Sequence, residues 1–354
     1  MNVMAAARVA PPLHDLLGAS FQFNSTVTAL AWDGGIACFG LGDGAVAMLP
    51  CRWDGAPRLE PRAGGGSVIV AGEKPPPPPA IVPAHAGGVL ALARDKLGGV
   101  LSGGADGKAL RIADGKPEMF GEKPRRRVEA VAAGRGGRRA FAAGRQVDRS
   151  GPDAGRLNLP GAVTALAFDP SGLHLAVGYV GGVSLEACGI RRAPRWEAAG
   201  AFTLLAWRHD GGMIAAASGA QVALRDRDDV DWQVINDLPG PAQTIGFTAL
   251  GALVIAGADF ARLWRDGEAS GLGMAVAPVA CHPRLNLVAC AARDGGIFIC
   301  QPGTPGALAV REAGAAPTHL AFAPDGEALA FAAADGELGT VMLPDTLFRF
   351  GEIK

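Results

Sequence analysis

Val163-Thr164-Ala165-Leu166-Ala167-Phe168-Asp169-Pro170-Ser171-Gly172 decides the fold, because the same phrase returns at Pro317-Thr318-His319-Leu320-Ala321-Phe322-Ala323-Pro324-Asp325-Gly326. Each copy is a short apolar strand followed by a turn built from Asp, Pro, Ser and Gly. In both copies a second apolar strand follows, rich in alanine: Leu175-Ala176-Val177-Gly178 and Leu329-Ala330-Phe331-Ala332-Ala333. Short strands separated by tight turns and repeated at about 40 residues are the signature of a β-propeller.

Working outward, inner strands are expected to begin near Val27, Val89, Val128, Val163, Phe202, Gln243, Ala275 and Pro317. A second set of turns stands at Asp43-Gly44, Asp106-Gly107, Asp294-Gly295 and Asp335-Gly336, where Asp and Gly accept the positive φ of a tight hairpin. The reading is an all-β chain: a single β-propeller of four-stranded antiparallel blades, eight in number, with seven as the alternative. The third unit, from Val128 to Gly144, is degenerate but keeps the period. Ser20 to Asn24 is expected to supply a closing outer strand, which would remove an exposed sheet edge.

The domain plan that follows has an N-terminal extension over 1–15, a propeller over 16–344 and a C-terminal tail over 345–354. A Gly- and Pro-rich insertion over about 55–84 interrupts it, with Gly64-Gly65-Gly66 and five consecutive prolines, Pro75 to Pro79. Such a run favours an extended polyproline II segment, read here as a stiff surface loop with a possible role in docking to an aromatic groove.

Of the 354 residues 49% are hydrophobic and 19% charged, with a formal net charge of -1. A large packed core is expected, and no whole-molecule field draws the chain to nucleic acid or an anionic membrane. No apolar run approaches the roughly 18 residues of a membrane span and the first residues carry no signal-like apolar segment, so a cytoplasmic location is expected, in a bacterial-type cell by composition. Six cysteines, Cys38, Cys51, Cys188, Cys281, Cys290 and Cys300, lie scattered and mostly in apolar strand patterns, where a reduced thiol acts as a small hydrophobe. Cys281, His282, Cys290 and Cys300 come nearest to a cluster, but their spacing fits core packing rather than a common zinc module.

The second unit resembles the WD40 repeat family. His85-Ala86-Gly87-Gly88-Val89 is similar to that family's His-containing lead-in and is followed by Ser102-Gly103-Gly104-Ala105-Asp106-Gly107; in the sixth unit Trp264 occupies the family's Trp position, with Arg265 in place of Asp. The resemblance covers roughly Leu16 to Pro344. It implies a His, Ser, Asp and Trp hydrogen-bond network within a blade, ring closure by pairing of the two chain ends, and a role as a platform for protein contacts.

Charge marks one sector. Between Glu122 and Arg156 ten basic residues face four acidic ones, Glu122, Glu129, Asp148 and Asp153. Arg125, Arg126 and Arg127 precede an inner strand, whereas Arg135, Arg138 and Arg139 fall in the next turn, on the opposite face. The candidate partner-binding residues are therefore Arg125, Arg126 and Arg127, with a secondary cluster of Arg191, Arg192 and Trp196, since Trp and Arg dominate binding hot spots. No catalytic, cofactor-binding or metal residue is assigned: there is no G-x-S-x-G, H-E-x-x-H or P-loop, and the six histidines differ in repeat phase. The expected role is a non-enzymatic protein–protein interaction scaffold with an acidic protein partner. The alternatives are an enzyme or small-ligand binder using the central channel, and RNA or polyanion binding through residues 122–156; the latter suffers from a shortage of stacking aromatics.

Overall fold

In a computed structural model, residues 11–62, 67–187, 195–227, 229 and 231–348 are described. They form eight antiparallel sheets arranged as the blades of a propeller, seven of four strands and one of three. The inner strands are Val27–Asp33, Val89–Arg94, Ala130–Ala133, Val163–Phe168, Leu204–Trp207, Thr244–Phe247, Val276–Cys281 and Pro317–Phe322. Each starts within two residues of its expected position. Blades 1 to 8 are numbered in that order.

The ring closes by pairing the two ends of the chain. Gly18–Gln22 is the outer strand of blade 8 and lies antiparallel to Glu337–Met342, with Gly18 opposite Val341 and Gln22 opposite Glu337. The closing strand thus begins two residues earlier than Ser20. A short helix, Leu13–Leu17, precedes it and buries Leu13 and Leu17 among Leu287, Val310 and Leu343. Leu347 and Phe348 pack against the same cluster.

Why the blades stack is visible in the second strands. Ala328–Ala333 is buried along its whole length. At the end of the second strand of blade 1 stands Gly40, where a Cβ would come within 2.6 Å of Val89 Cγ1; in blade 2 a Cβ on Gly103 would come within 2.7 Å of Val128 Cγ1. The repeated glycine is the seat on which the next blade's leading valine presses, and both valines are fully buried. Removing such a side chain from water contributes about 2 kcal/mol.

Blade 4 departs from the pattern. One long element, His174–Ala187, pairs first with the inner strand (Leu175 to Tyr179) and then with Arg195–Ala201 (Val180 to Ser184), so it occupies the place of two strands. Gly181 and Gly182, at φ 106 and 155, sit where the register changes. The insertion lies inside blade 1, between its third strand Ala45–Pro50 and its outer strand Ala80–Pro83. Its own hairpin, Arg58–Pro61 with Ser67–Val70, lays Leu59 and Ile69 against the cluster around Leu343. Lys74 anchors the proline run through an ion pair with Asp54, and its carbonyl accepts from the Trp53 indole at 3.0 Å.

Antiparallel order assigns every connection to a face. Turns between the second and third strands, and loops from one blade to the next, lie on what we call the upper face. Turns between first and second strands lie on the lower face.

Candidate functional site

The loop from blade 2 to blade 3 leaves the outer strand Lys116–Glu122 and turns at Lys123-Pro124-Arg125-Arg126, closed by the Arg126 amide donating to the Lys123 carbonyl at 3.1 Å. Pro124 suits the second position of this turn. The third position needs positive φ, and Arg125 takes it at 65° although glycine would do so without strain. Arg125, Arg126 and Arg127 are all exposed.

Arg126 reaches across to the next upper-face turn, its Nη1 lying 3.6 Å from where a Cβ on Gly144 would stand. Arg145, also exposed, follows directly. Among the described residues Arg125, Arg126 and Arg145 make no ion pair, while Arg127 approaches Glu129 only at 4.0 Å. Three uncompensated guanidinium groups therefore share one face. Beside them Asp148 is claimed by Lys123 at 2.5 Å and Arg156 at 2.7 Å. Burial opposes ionisation of Asp148, but hydrogen bonds from Lys123 and Arg156 more than offset it and hold the carboxyl below the usual range.

On the lower face the same sector is wired differently. Asp95, whose side chain is 0% exposed, accepts from Arg111 at 3.0 Å and from Arg139 at 2.8 Å. Arg138 pairs with Asp153 at 2.5 Å. Only Arg135 there is exposed, and it makes no ion pair among the described residues. The arginines of residues 122–156 thus divide by face, as the repeat phase implies, and most of the lower set is structural. Phe120 and Phe141, the nearest aromatics, pack edge to face at 5.8 Å and offer no free stacking surface.

Arg191 and Arg192 lie outside the described residues. Trp196 stands in the outer strand of blade 4, half-buried, stacked on Trp232 at 5.0 Å and edge-on to Phe202 at 5.2 Å. It joins the cluster between blades 4 and 5. Trp232, the stacking partner, carried no signal in the repeat grammar.

Blade 2 holds an array that invites a catalytic reading. His85 Nδ1 lies 2.9 Å from Asp106 Oδ1, and its Nε2 lies 2.8 Å from Ser102 Oγ. The order is that of a Ser-His-Asp triad, but Ser102 is 0% exposed and sits inside a second strand, and the His85 side chain is 0% exposed. A nucleophile needs a substrate beside it, and here the beneficiary is the hairpin, since Asp106 also accepts from the amides of Ala86 and Lys108. Burial raises the Asp106 carboxyl, and the amides of Lys108 and Ala86 with His85 overcome it and hold it low.

Two further histidines serve junctions between blades. His282 donates through Nε2 to the Gly326 carbonyl of blade 8 at 3.1 Å, and its Nδ1 accepts from the amides of Arg284 and Leu285. Backbone groups thus engage both ring nitrogens, and neither is left for the thiols of Cys281, Cys290 and Cys300. His209 Nε2 reaches the Phe247 carbonyl of blade 6 at 3.1 Å. Among the described residues no group of three or more His, Cys, Asp or Glu side chains could hold a metal ion, and no helix is long and apolar enough to cross a membrane.

A cavity of about 790 Å³ opens on the lower face between blades 5 and 6 and not in the central channel. Its floor is Met213, Leu224, Phe247, Leu253 and Trp264, and its rim carries Arg208, Asp210 and Arg265. These rim charges are already engaged: Arg208 with Asp210 at 2.9 Å, Arg265 with the Leu250 carbonyl at 3.1 Å. A smaller cavity of about 290 Å³ lies against the inner strands of blades 2 to 6 and is lined by Thr164, Thr203, Thr244 and Glu129 among apolar side chains. Neither gathers a nucleophile, a base and an oxyanion donor. Compared with models of known protein families and with curated proteins, the chain matches none.

Proposed function

We propose that this propeller is a non-enzymatic interaction scaffold that receives an acidic segment of a protein partner on its upper face, at the junction of blades 2 and 3. The observation that carries the reading is the set Arg125, Arg126 and Arg145: exposed, on one face, and without an ion pair among the described residues while neighbouring Lys123, Arg138, Arg139 and Arg156 are paired. Left-handed backbone at Arg125 supports it, since strain held in a surface turn is tolerated where the side chain is needed. Arginine suits the task because its planar fork binds carboxylates in pairs.

A WD40-like ancestry belongs to the same reading. It is supported by the His85, Ser102 and Asp106 network in blade 2, with Ile112 rather than Trp in the third strand of that blade. A cytoplasmic location is supported by the five described cysteines, all free thiols.

The test is capture of tagged protein from the native lysate, in wild type and in an Arg125→Glu, Arg126→Glu, Arg145→Glu variant, with competition by a homopolymeric RNA. A stoichiometric acidic protein retained by the wild type, lost by the variant and indifferent to RNA supports the proposal. Displacement by RNA would favour the polyanion alternative. One observation favours a second reading, a small-ligand binder: the groove of about 790 Å³ with Trp264 in its floor is of ligand-pocket size. Quenching of Trp fluorescence by a cell extract, absent in Trp264→Phe, would support it.

A further inference from the structure

The groove of about 790 Å³ between blades 5 and 6 joins an apolar floor to rim groups whose bonding is incomplete. Leu224, Phe247 and Leu253 are buried beneath it, and Met213 and Trp264 are half-buried. All five belong to the cluster that holds blades 5 and 6 together, so packing between sheets fixes the floor. Its size is that of a small-molecule site.

Three other tryptophans, Trp32, Trp53 and Trp207, each donate the indole N–H to a backbone carbonyl, at 3.1, 3.0 and 3.0 Å. Trp264 has no such acceptor among the described residues, and the strand paired with its own, Leu253–Gly257, carries no polar side chain that could accept. Arg265 donates through Nη2 to the Leu250 carbonyl at 3.1 Å, which positions the guanidinium group without neutralising it. Asp266, next in the chain, is exposed and left-handed at φ 52. Among the described residues neither Arg265 nor Asp266 makes an ion pair, with the other or with any neighbour. On the blade 5 side of the rim Arg208 and Asp210 are, by contrast, paired at 2.9 Å. The groove therefore presents one uncompensated cation and one uncompensated anion, adjacent in sequence, together with an indole N–H that lacks an acceptor.

We propose that this groove binds a zwitterionic small molecule with an aromatic side chain, of the aromatic α-amino acid type. The ligand carboxylate accepts from Arg265 and from Trp264 Nε1, its ammonium group meets the Asp266 carboxylate, and its ring lies on Met213, Phe247 and Leu253. Transfer of the ring from water drives binding, and the two charges select, because a ligand lacking either one leaves a rim charge without its counterion. The inference deepens the small-ligand reading of the groove and rests on it; the acidic-partner surface lies on the other face.

The test is calorimetric titration of the full chain with three probes of one shape: L-phenylalanine, 3-phenylpropionate, which lacks the ammonium group, and phenethylamine, which lacks the carboxylate. L-Phenylalanine is expected to bind about tenfold more tightly than either analogue, or better. Asp266→Asn keeps a residue that accepts left-handed backbone, and it should weaken L-phenylalanine to the level of 3-phenylpropionate while leaving 3-phenylpropionate unchanged. Arg265→Gln should weaken L-phenylalanine to the level of phenethylamine. Trp264→Phe keeps an aromatic floor and should weaken both carboxylates but not phenethylamine. No heat from L-phenylalanine at about 10 mM, or an analogue that binds the wild type as tightly, would overturn the proposal, and these wild-type titrations decide it even if a variant fails to fold. An analogue that binds more tightly, and loses affinity in Trp264→Phe, would overturn the ligand class while leaving the groove a small-ligand site; the quenching of Trp264 by cell extract tests that broader reading separately.

Discussion

Blade 3 carries arginines at both ends of its strands, and the two ends use them in opposite ways. At the lower end Arg139 and Arg138 are tied to Asp95 and Asp153, and a second arginine, Arg111 of blade 2, shares the buried Asp95 carboxylate. At the upper end Arg125, Arg126 and Arg145 are exposed and have no such partner among the described residues. A charge with a buried counterion is structure; a charge facing only water is available. Composition alone would count them together as one basic sector.

The lower face should respond most to substitution. Asp95→Ala would leave Arg139 without its counterion and Arg111 with only the exposed Glu118 at 3.5 Å, and removing one partner of a buried ion pair costs about 3 kcal/mol or more. Urea unfolding should show that loss, whereas Arg125→Ala, Arg126→Ala and Arg145→Ala should each stay within about 0.5 kcal/mol of wild type. Equal effects on the two faces would break the comparison.

A pH series sharpens it next. Burial, only partly countered by the Gly326 carbonyl, holds the His282 imidazole below its ordinary range, and protonation would cost the two amide bonds accepted by Nδ1. The unfolded chain therefore binds the proton first. Stability should be full above about pH 6.5 and fall as pH drops through the unfolded value towards the depressed folded one. Each tenfold by which folding weakens proton binding is worth about 1.4 kcal/mol. His282→Gln should flatten that part of the curve; an unchanged slope would exclude His282 as its source.

The smallest effect has the opposite sign. Arg125→Gly relieves a left-handed arginine and should raise stability by up to about 1 kcal/mol while weakening partner binding. A loss of stability would mean that the turn depends on the Arg125 side chain.

Much of this was legible in the chain because a propeller repeats its grammar: the leading valine, the Asp-Gly turn and the small second strand recur, and each inner strand begins close to where that grammar puts it. The assignment of Arg125–Arg127 and Arg135–Arg139 to opposite faces followed from counting strands. What escaped has a common physical cause, contacts distant in sequence. Arg139 and its partner Asp95 are 44 residues apart, and Trp196 stacks on Trp232 across two blades, so neither pairing leaves a local pattern. The outer strand of blade 1, Ala80–Pro83, follows five prolines and ends in another, which hides four paired residues inside what reads as loop. In blade 4 the fused element His174–Ala187 lacks the Asp-Gly mark of its sister blades.

The most direct test measures the partner's Kd, once captured, against two charge reversals on opposite faces: Arg125→Glu with Arg126→Glu and Arg145→Glu above, Arg135→Glu below. The account predicts about a hundredfold weaker binding for the upper variant, near-unchanged binding for the lower one, and a wild-type affinity that falls as salt rises. Equal affinity in the upper variant, or an equal loss in the lower one, would contradict the claim that the upper face of blades 2 and 3 is the docking surface.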